Sequence, residues 1–132
     1  MTKSGMFMSL AALAAVSTFG LGGVANAEQP AGPVTLVSHV DVIPDAYVPQ
    51  AEEKSWAILR TEMAATKNDK GVVSYVVLRQ TDGPNHFTIV ETWADYKALA
   101  AHQGSAHTIK FRQDIQENLG SPFDSRLHQT FE

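Results

Sequence analysis

The sequence predicts an α+β domain whose elements run β-α-β-β-α-β, and three observations predict it. β-branched residues crowd into residues 34–43 and return in 72–80 and 86–93. Apolar residues recur at helical spacing between 45 and 68. Thr81, Asp82, Gly83, Pro84 and Asn85 carry strong turn chemistry between the second and third extended runs, so those runs should pair as an antiparallel hairpin.

Each element has its own signal. Residues 28–33 form a short leader containing proline and glycine, read as flexible. The first strand, 34–43, stops at Pro44. The first helix, 45–68, carries a stripe of Ala51, Ser55, Leu59 and Met63, with Val48 and Ile58 beside it. Glu52, Glu53, Lys54, Arg60 and Glu62 fall mostly elsewhere, and Asp69, Lys70 and Gly71 end the helix. After the hairpin, Asp95 stands where an N-cap would, and a helix follows through Ala98, Leu99 and His102. Gly104 interrupts it and Ser105 recaps a second segment, in which His107, Phe111 and Ile115 share a face. Gly120 and Pro122 end that segment, and residues 124–131 alternate well enough for a last strand. This order is the ferredoxin-like arrangement, one antiparallel sheet with helices on one face. The other face needs cover, and a homodimer packed sheet against sheet would supply it.

Residues 1–27 read as a secretory signal. Lys3 gives a weakly positive start, residues 7–16 an apolar run, and Ala25, Asn26 and Ala27 a small-x-small cleavage site. The rival reading is an uncleaved anchor, against which Gly20, Gly22 and Gly23 argue. The expectation is therefore an exported protein, periplasmic or secreted, free of the membrane after cleavage. The domain is then 34–132, and the chain from Glu28 has about 105 residues, enough for one modest core. It carries 9 basic and 14 acidic side chains, without the clustered Lys and Arg that nucleic acid requires. The absence of cysteine excludes disulfide staples, thiolate nucleophiles and sulfur-ligated metals. No phosphate loop, nucleophile elbow or dinucleotide fingerprint is present, so no cofactor is expected.

Strand parity supplies the candidate site. Phe87, Ile89, Glu91 and Trp93 share one face of the third strand, the face expected under the helices. A glutamate there needs partners or a raised pKa, and His102 and His107 on the following helix are the candidates. Their spacing of five would not align them on one continuous helix, which argues against a His-x-x-x-x-His metal pair. The break at Gly104 lets both point into one cavity. Each of these groups also has a plain structural reading: Glu91 as a buried ion pair, either histidine as a satisfied core or capping residue. His39 on the first strand and Tyr75 on the second belong either to a pocket or to the dimer face. His86 reads as solvated, His128 as a dimer contact, and Trp56 as core or rim.

Three stretches resemble the antibiotic biosynthesis monooxygenase family in its quinol monooxygenase type. They are Ser38 to Val42 with Pro44; Asn85 through Glu91 to Trp93; and Ala98, Leu99 and His102 through Ser105, His107, Phe111 and Arg112. Ser121 to Leu127 resembles the family's closing segment. The resemblance implies a dimeric α+β barrel and, for several members, oxidation of a quinol-like or phenolic aromatic by molecular oxygen with neither metal nor flavin. It implies Trp93 as an aromatic wall, His102 or His107 as base or anion stabiliser, and Glu91 as orienter. His39, Tyr75, Phe87 and Phe111 would contact the substrate. The polyketide branch places an asparagine where this chain has Ile89. The haem-degrading branch places its helix histidine ten residues after the tryptophan, where this chain has Gln103. The leading expectation is a cofactor-independent monooxygenase or oxidase. The alternatives are a non-catalytic module that binds small aromatics, as a carrier or in a stress response, and, behind it, a haem-binding protein.

Overall fold

The structure, a computed structural model, describes residues 28–131, and the expected signal segment lies outside the described residues. Its elements are β1 (Val34–Asp41), α1 (Ala51–Thr66), β2 (Val72–Arg79), β3 (His86–Trp93), α2 (Tyr96–Gln103), α3 (Ala106–Ile115) and β4 (Asp124–His128). The strands form one sheet in the order β2-β3-β1-β4 with every neighbouring pair antiparallel. This is the ferredoxin-like βαββαβ fold. Among the described residues, no helix is long and apolar enough to cross a membrane.

The first helix starts later than its pattern suggests. Residues 45–50 form turns, and Gln50 takes φ 65° just before the helix. Asp45 still helps to cap it: Glu52 N–H donates to Asp45 Oδ1 at 2.9 Å, and Asp45 N–H donates to Glu52 Oε1 at 3.2 Å. The two orphan donors are thus satisfied reciprocally across seven residues. The buried face also departs from the expected stripe. It runs Ala51, Ser55, Leu59, Glu62, Thr66, with Met63 only half-buried. A strict spacing of four drifts off a helix that turns every 3.6 residues, and the correction falls at Glu62. β1 ends at Asp41, because Val42 leaves the ladder to bridge Leu119. β4 stops at His128, three residues short of the expected end.

The second helical segment divides as expected. Asp95 caps α2 by accepting from Ala98 N–H at 2.8 Å, and Ser105 caps α3 by accepting from Thr108 N–H at 3.3 Å. Gly104 has ordinary helical dihedrals and room for a methyl group, so the break is made by the Ser105 cap rather than by glycine's freedom. Gly71 is different. Its φ is +85°, and a Cβ there would lie 2.5 Å from Ala98 Cβ on α2. Only glycine permits both that backbone and that approach.

Strand parity on β3 holds: Phe87, Ile89, Glu91 and Trp93 are buried, and Thr88, Val90 and Thr92 half-buried. Two apolar clusters make the core. One gathers Val40, Val42, Leu59, Phe87, Ile89, Phe111 and Ile115; the other Val34, Leu36, Trp93 and Leu99. Glu91 sits on β3 between a residue of each. Among the described residues, no helix covers the opposite sheet face. There Val76 and Leu78 of β2 are 44% and 52% exposed, in register with Val90 and Thr88 of β3.

Candidate functional site

A cavity of about 540 Å³ opens between the sheet and the helices α2 and α3. Leu36, Ile89, Leu99, Phe111, Phe123 and Leu127 supply its apolar wall. Glu62, Tyr75, Glu91, His102, Thr108 and Arg112 supply its polar groups. A mostly apolar hollow with a few convergent polar groups is the usual form of a small-molecule site.

His102 is the centre of the polar side. Its imidazole is 3% exposed and lies against Trp93, with ring centroids 4.6 Å apart. Nδ1 stands 2.7 Å from Asp69 Oδ2. A carboxylate can only accept, so Nδ1–H donates, and Nε2 is the ring nitrogen left for other groups. Nε2 lies 3.5 Å from Glu91 Oε2 and 3.8 Å from Glu62 Oε1. Trp93 Nε1–H donates to Glu91 Oε2 at 2.9 Å. Burial pushes the Glu91 carboxyl above the usual carboxylate range, against the lowering pull of Trp93, His102 and Arg112. Burial also raises the Tyr75 phenol, helped by the charges of Glu91 and Glu62, so Tyr75 stays a neutral hydroxyl donor.

His107 joins the same network from behind. Its Nδ1–H donates to Glu62 Oε2 at 2.9 Å, and its Nε2–H donates to Asp69 at 2.9 and 3.0 Å. Thr108 Oγ1–H donates to Glu62 Oε1 at 2.7 Å. Burial opposes charge on His107, but the bonds to Glu62 and Asp69 win and raise its pKa. Burial pushes the Asp69 carboxyl up, but the hydrogen bonds from His102 and His107 outweigh it and hold Asp69 below the usual carboxylate range. His107 is therefore an imidazolium clamped between two carboxylates. Among the described residues, Glu62, His102 and His107 each offer one ligand-type atom within 4.8 Å of the others.

The sequence candidates separate on this geometry. Glu91, His102, Tyr75 and Phe111 line the cavity. His107 is joined to it through Glu62 and, by way of Asp69, through His102, and itself borders a smaller cleft between α1 and α3. Trp93 is fully buried at the end of the sheet, beneath Leu99, so it backs Glu91 and His102 rather than walling the cavity. Phe87 lies at the other end of β3, stacked on Trp56 at 6.0 Å in the core. His39 is exposed on the uncovered sheet face, because the buried residues of β1 are Val34, Leu36, Ser38 and Val40. Its imidazole forms a hydrogen bond with Thr88 at 3.3 Å. His86 is not simply solvated: it pairs with Asp41 at 2.7 Å. Sequence reasoning missed Glu62 and Asp69. Their signals were the drift of the α1 stripe and an acidic residue just beyond the helix end.

The His107 network makes stability depend on pH. A folded-state pKa above the ordinary imidazole value of about 6.5 stabilises the fold fully below that pH. That contribution is lost as pH rises through the raised value. The denaturation midpoint of chelator-treated protein should therefore fall with rising pH across this window, and His107→Gln should flatten the fall. Equal slopes in the two proteins would contradict the clamp.

The profile of the family described as antibiotic biosynthesis monooxygenase matches residues 47–114, just over half of the chain. No curated protein matches it. Among solved structures, Rv0793 from Mycobacterium tuberculosis superposes with a TM-score of 0.68 at 24% identity, covering 76% of this chain and 96% of that one. PA3566 from Pseudomonas aeruginosa gives 0.68 at 21%, with coverage of 76% and 96%. A variant of SnoaB, a cofactor-independent oxygenase from Streptomyces nogalater, gives 0.65 at 16%, with coverage of 76% and 94%. At these identities the structural likeness is one of fold; the profile match goes further, and by it the chain belongs to the antibiotic biosynthesis monooxygenase family.

Proposed function

We propose that this protein is a cofactor-independent monooxygenase acting on a quinol-like or phenolic aromatic with molecular oxygen. The observation that carries the reading is the buried His102 imidazole, oriented by Asp69 and facing an apolar cavity. Family membership and the fold shared with a cofactor-independent oxygenase support it. The cavity is large enough for a bicyclic aromatic, and its apolar wall favours a flat ring.

His102 Nε2 takes the phenolic proton. A phenol ionises near pH 10 and an imidazole near 6.5, so the developing phenolate must be stabilised. Arg112 supplies the positive charge and the Tyr75 hydroxyl a donor, both at the cavity wall. The phenolate is then its own reductant. One oxygen atom enters the ring at a carbon that gives up its hydrogen, the other leaves as water, and the substrate supplies the electrons as it becomes a quinone. With a naphthol, one O2 yields one naphthoquinone and one water. Glu91, kept protonated more readily by burial, can donate to the departing oxygen.

The uncovered sheet face completes the proposal. Val76, Leu78 and Val90 make an apolar surface on which a second copy would pack, as a homodimer. Export to the periplasm or beyond remains a proposal from the leader sequence alone.

The test is oxygen uptake by the chain from Glu28 onward, stripped of metal, against hydroquinones and naphthols. Uptake above buffer autoxidation, with one quinone formed per oxygen consumed from a naphthol, is expected. Binding of the same aromatics without uptake would favour a non-catalytic binding module on this fold.

A further inference from the structure

The Asp69 carboxylate does something the proposed oxidation does not require. It accepts from both histidines, from Nδ1–H of His102 at 2.7 Å and from Nε2–H of His107 at 2.9 and 3.0 Å. One carboxylate thereby fixes the two rings so that their remaining nitrogens, His102 Nε2 and His107 Nδ1, both face Glu62. Those nitrogens lie 3.8 Å from Glu62 Oε1 and 2.9 Å from Glu62 Oε2. Thr108 holds the Glu62 carboxylate in place through Oε1.

This is the arrangement of a metal centre and its supporting shell. Metal-binding histidines characteristically donate their other ring N–H to a carboxylate, which orients the ring and raises its basicity. Here both do so, to the same residue. Two imidazoles and one carboxylate without sulfur suit the borderline divalent cations, with zinc the common case. Burial agrees: Glu62 is 2% exposed, and its carboxylate meets the His107 ring at 2.9 Å and the Thr108 hydroxyl at 2.7 Å. A divalent cation held between His102 Nε2, His107 Nδ1 and Glu62 would give that buried carboxylate a positive partner. Glu62 and His102 also line the large cavity, so a fourth coordination position opens where a water or a small ligand can enter.

We propose that Glu62, His102 and His107 form a binding site for a borderline divalent cation, held in register by Asp69 and opening on the cavity. The cation would occupy the nitrogen that the proposed oxidation uses as its base. Within that reading, occupancy slows oxygen uptake; cation binding itself does not depend on the protein being an oxygenase.

The experiment is equilibrium dialysis and calorimetry of the chelator-stripped protein with Zn2+. One ion per chain is expected. His102→Ala and His107→Ala should each abolish stoichiometric binding, and Asp69→Asn should weaken it by about 10- to 100-fold. A paired His39→Ala, His86→Ala variant, which removes the exposed histidines near Asp41 and Asp124, should bind as the wild type does. Co2+ provides a readout on unmutated protein, should a variant fail to fold. The loaded protein should show two hyperfine-shifted, exchange-protected imidazole N–H resonances, one for each bond to Asp69. The absence of stoichiometric Zn2+ binding, binding that survives in His102→Ala and His107→Ala, or a cobalt spectrum lacking such resonances would each overturn the site. If the protein binds Zn2+ and never consumes oxygen, the oxygenase reading fails and the cation site stands.

Discussion

His102→Gln is expected to lower oxygen uptake with a hydroquinone or naphthol by about 100- to 10,000-fold, the range for loss of a positioned general base. Glutamine fills much of the same space and can still donate to Asp69, but it offers no titratable nitrogen to the cavity. The loss should lie mainly in kcat, because the apolar wall that binds the ring is untouched. Circular dichroism and a denaturation curve on the same preparation separate this from unfolding. Activity within a few-fold of wild type would remove His102 from the chemistry. The reaction would then rest on the cavity and on Arg112 and Tyr75.

Trp93→Ala carries the largest expected effect on stability, about 3–5 kcal/mol for deleting a buried tryptophan side chain. Total stability for a domain of this size is about 5–15 kcal/mol, so the loss is a substantial fraction. Trp93 has no solvent exposure and packs with Val34, Leu36 and Leu99. Its Nε1–H is also the direct hydrogen-bond donor to the buried Glu91 carboxylate. Trp93→Phe divides the two contributions. It keeps most of the ring and leaves Glu91 without its donor, at a cost of about 1–3 kcal/mol. The denaturant midpoint should fall in the order wild type, Phe, Ala at nearly constant slope. A stable Ala variant would mean that α2 collapses into the vacated space, and that Trp93 is not what seals this end of the sheet.

Patterns with a fixed spatial period were legible in the sequence. Alternation on β3 placed Phe87, Ile89, Glu91 and Trp93 on the buried face, and the caps at Asp95 and Ser105 placed the helix break that turns both histidines toward one network. What was not legible depends on where along an element a cavity opens. Parity assigns Phe87 and Trp93 to the same face as Glu91, yet only the middle of the strand borders the hollow, because α2 and Leu99 close one end and Trp56 the other. The same shortfall hid the acidic partners. Glu62 looked like a surface residue because it breaks a spacing of four, and Asp69 looked like the end of a helix. Their roles follow from tertiary contacts made 33 to 46 residues away along the chain.

Gly71 lies two residues beyond Asp69 and touches no polar atom of the site through a side chain, since it has none. Its carbonyl accepts from Ala94 N–H at 2.8 Å, and its bare α-carbon lets Ala98 settle against it. Ala98 is one helical turn before His102 on α2. The separation between the two polar partners is thus gauged by a missing methyl group. Any side chain at position 71 forces the turn and the helix apart, because 2.5 Å is closer than two carbon atoms approach. A hydrogen bond of 2.7 Å tolerates only tenths of an ångström before it weakens. For protein engineering, residue 71 is a remote adjustment screw on the imidazole: it changes the reach of the site while leaving the site's chemistry intact.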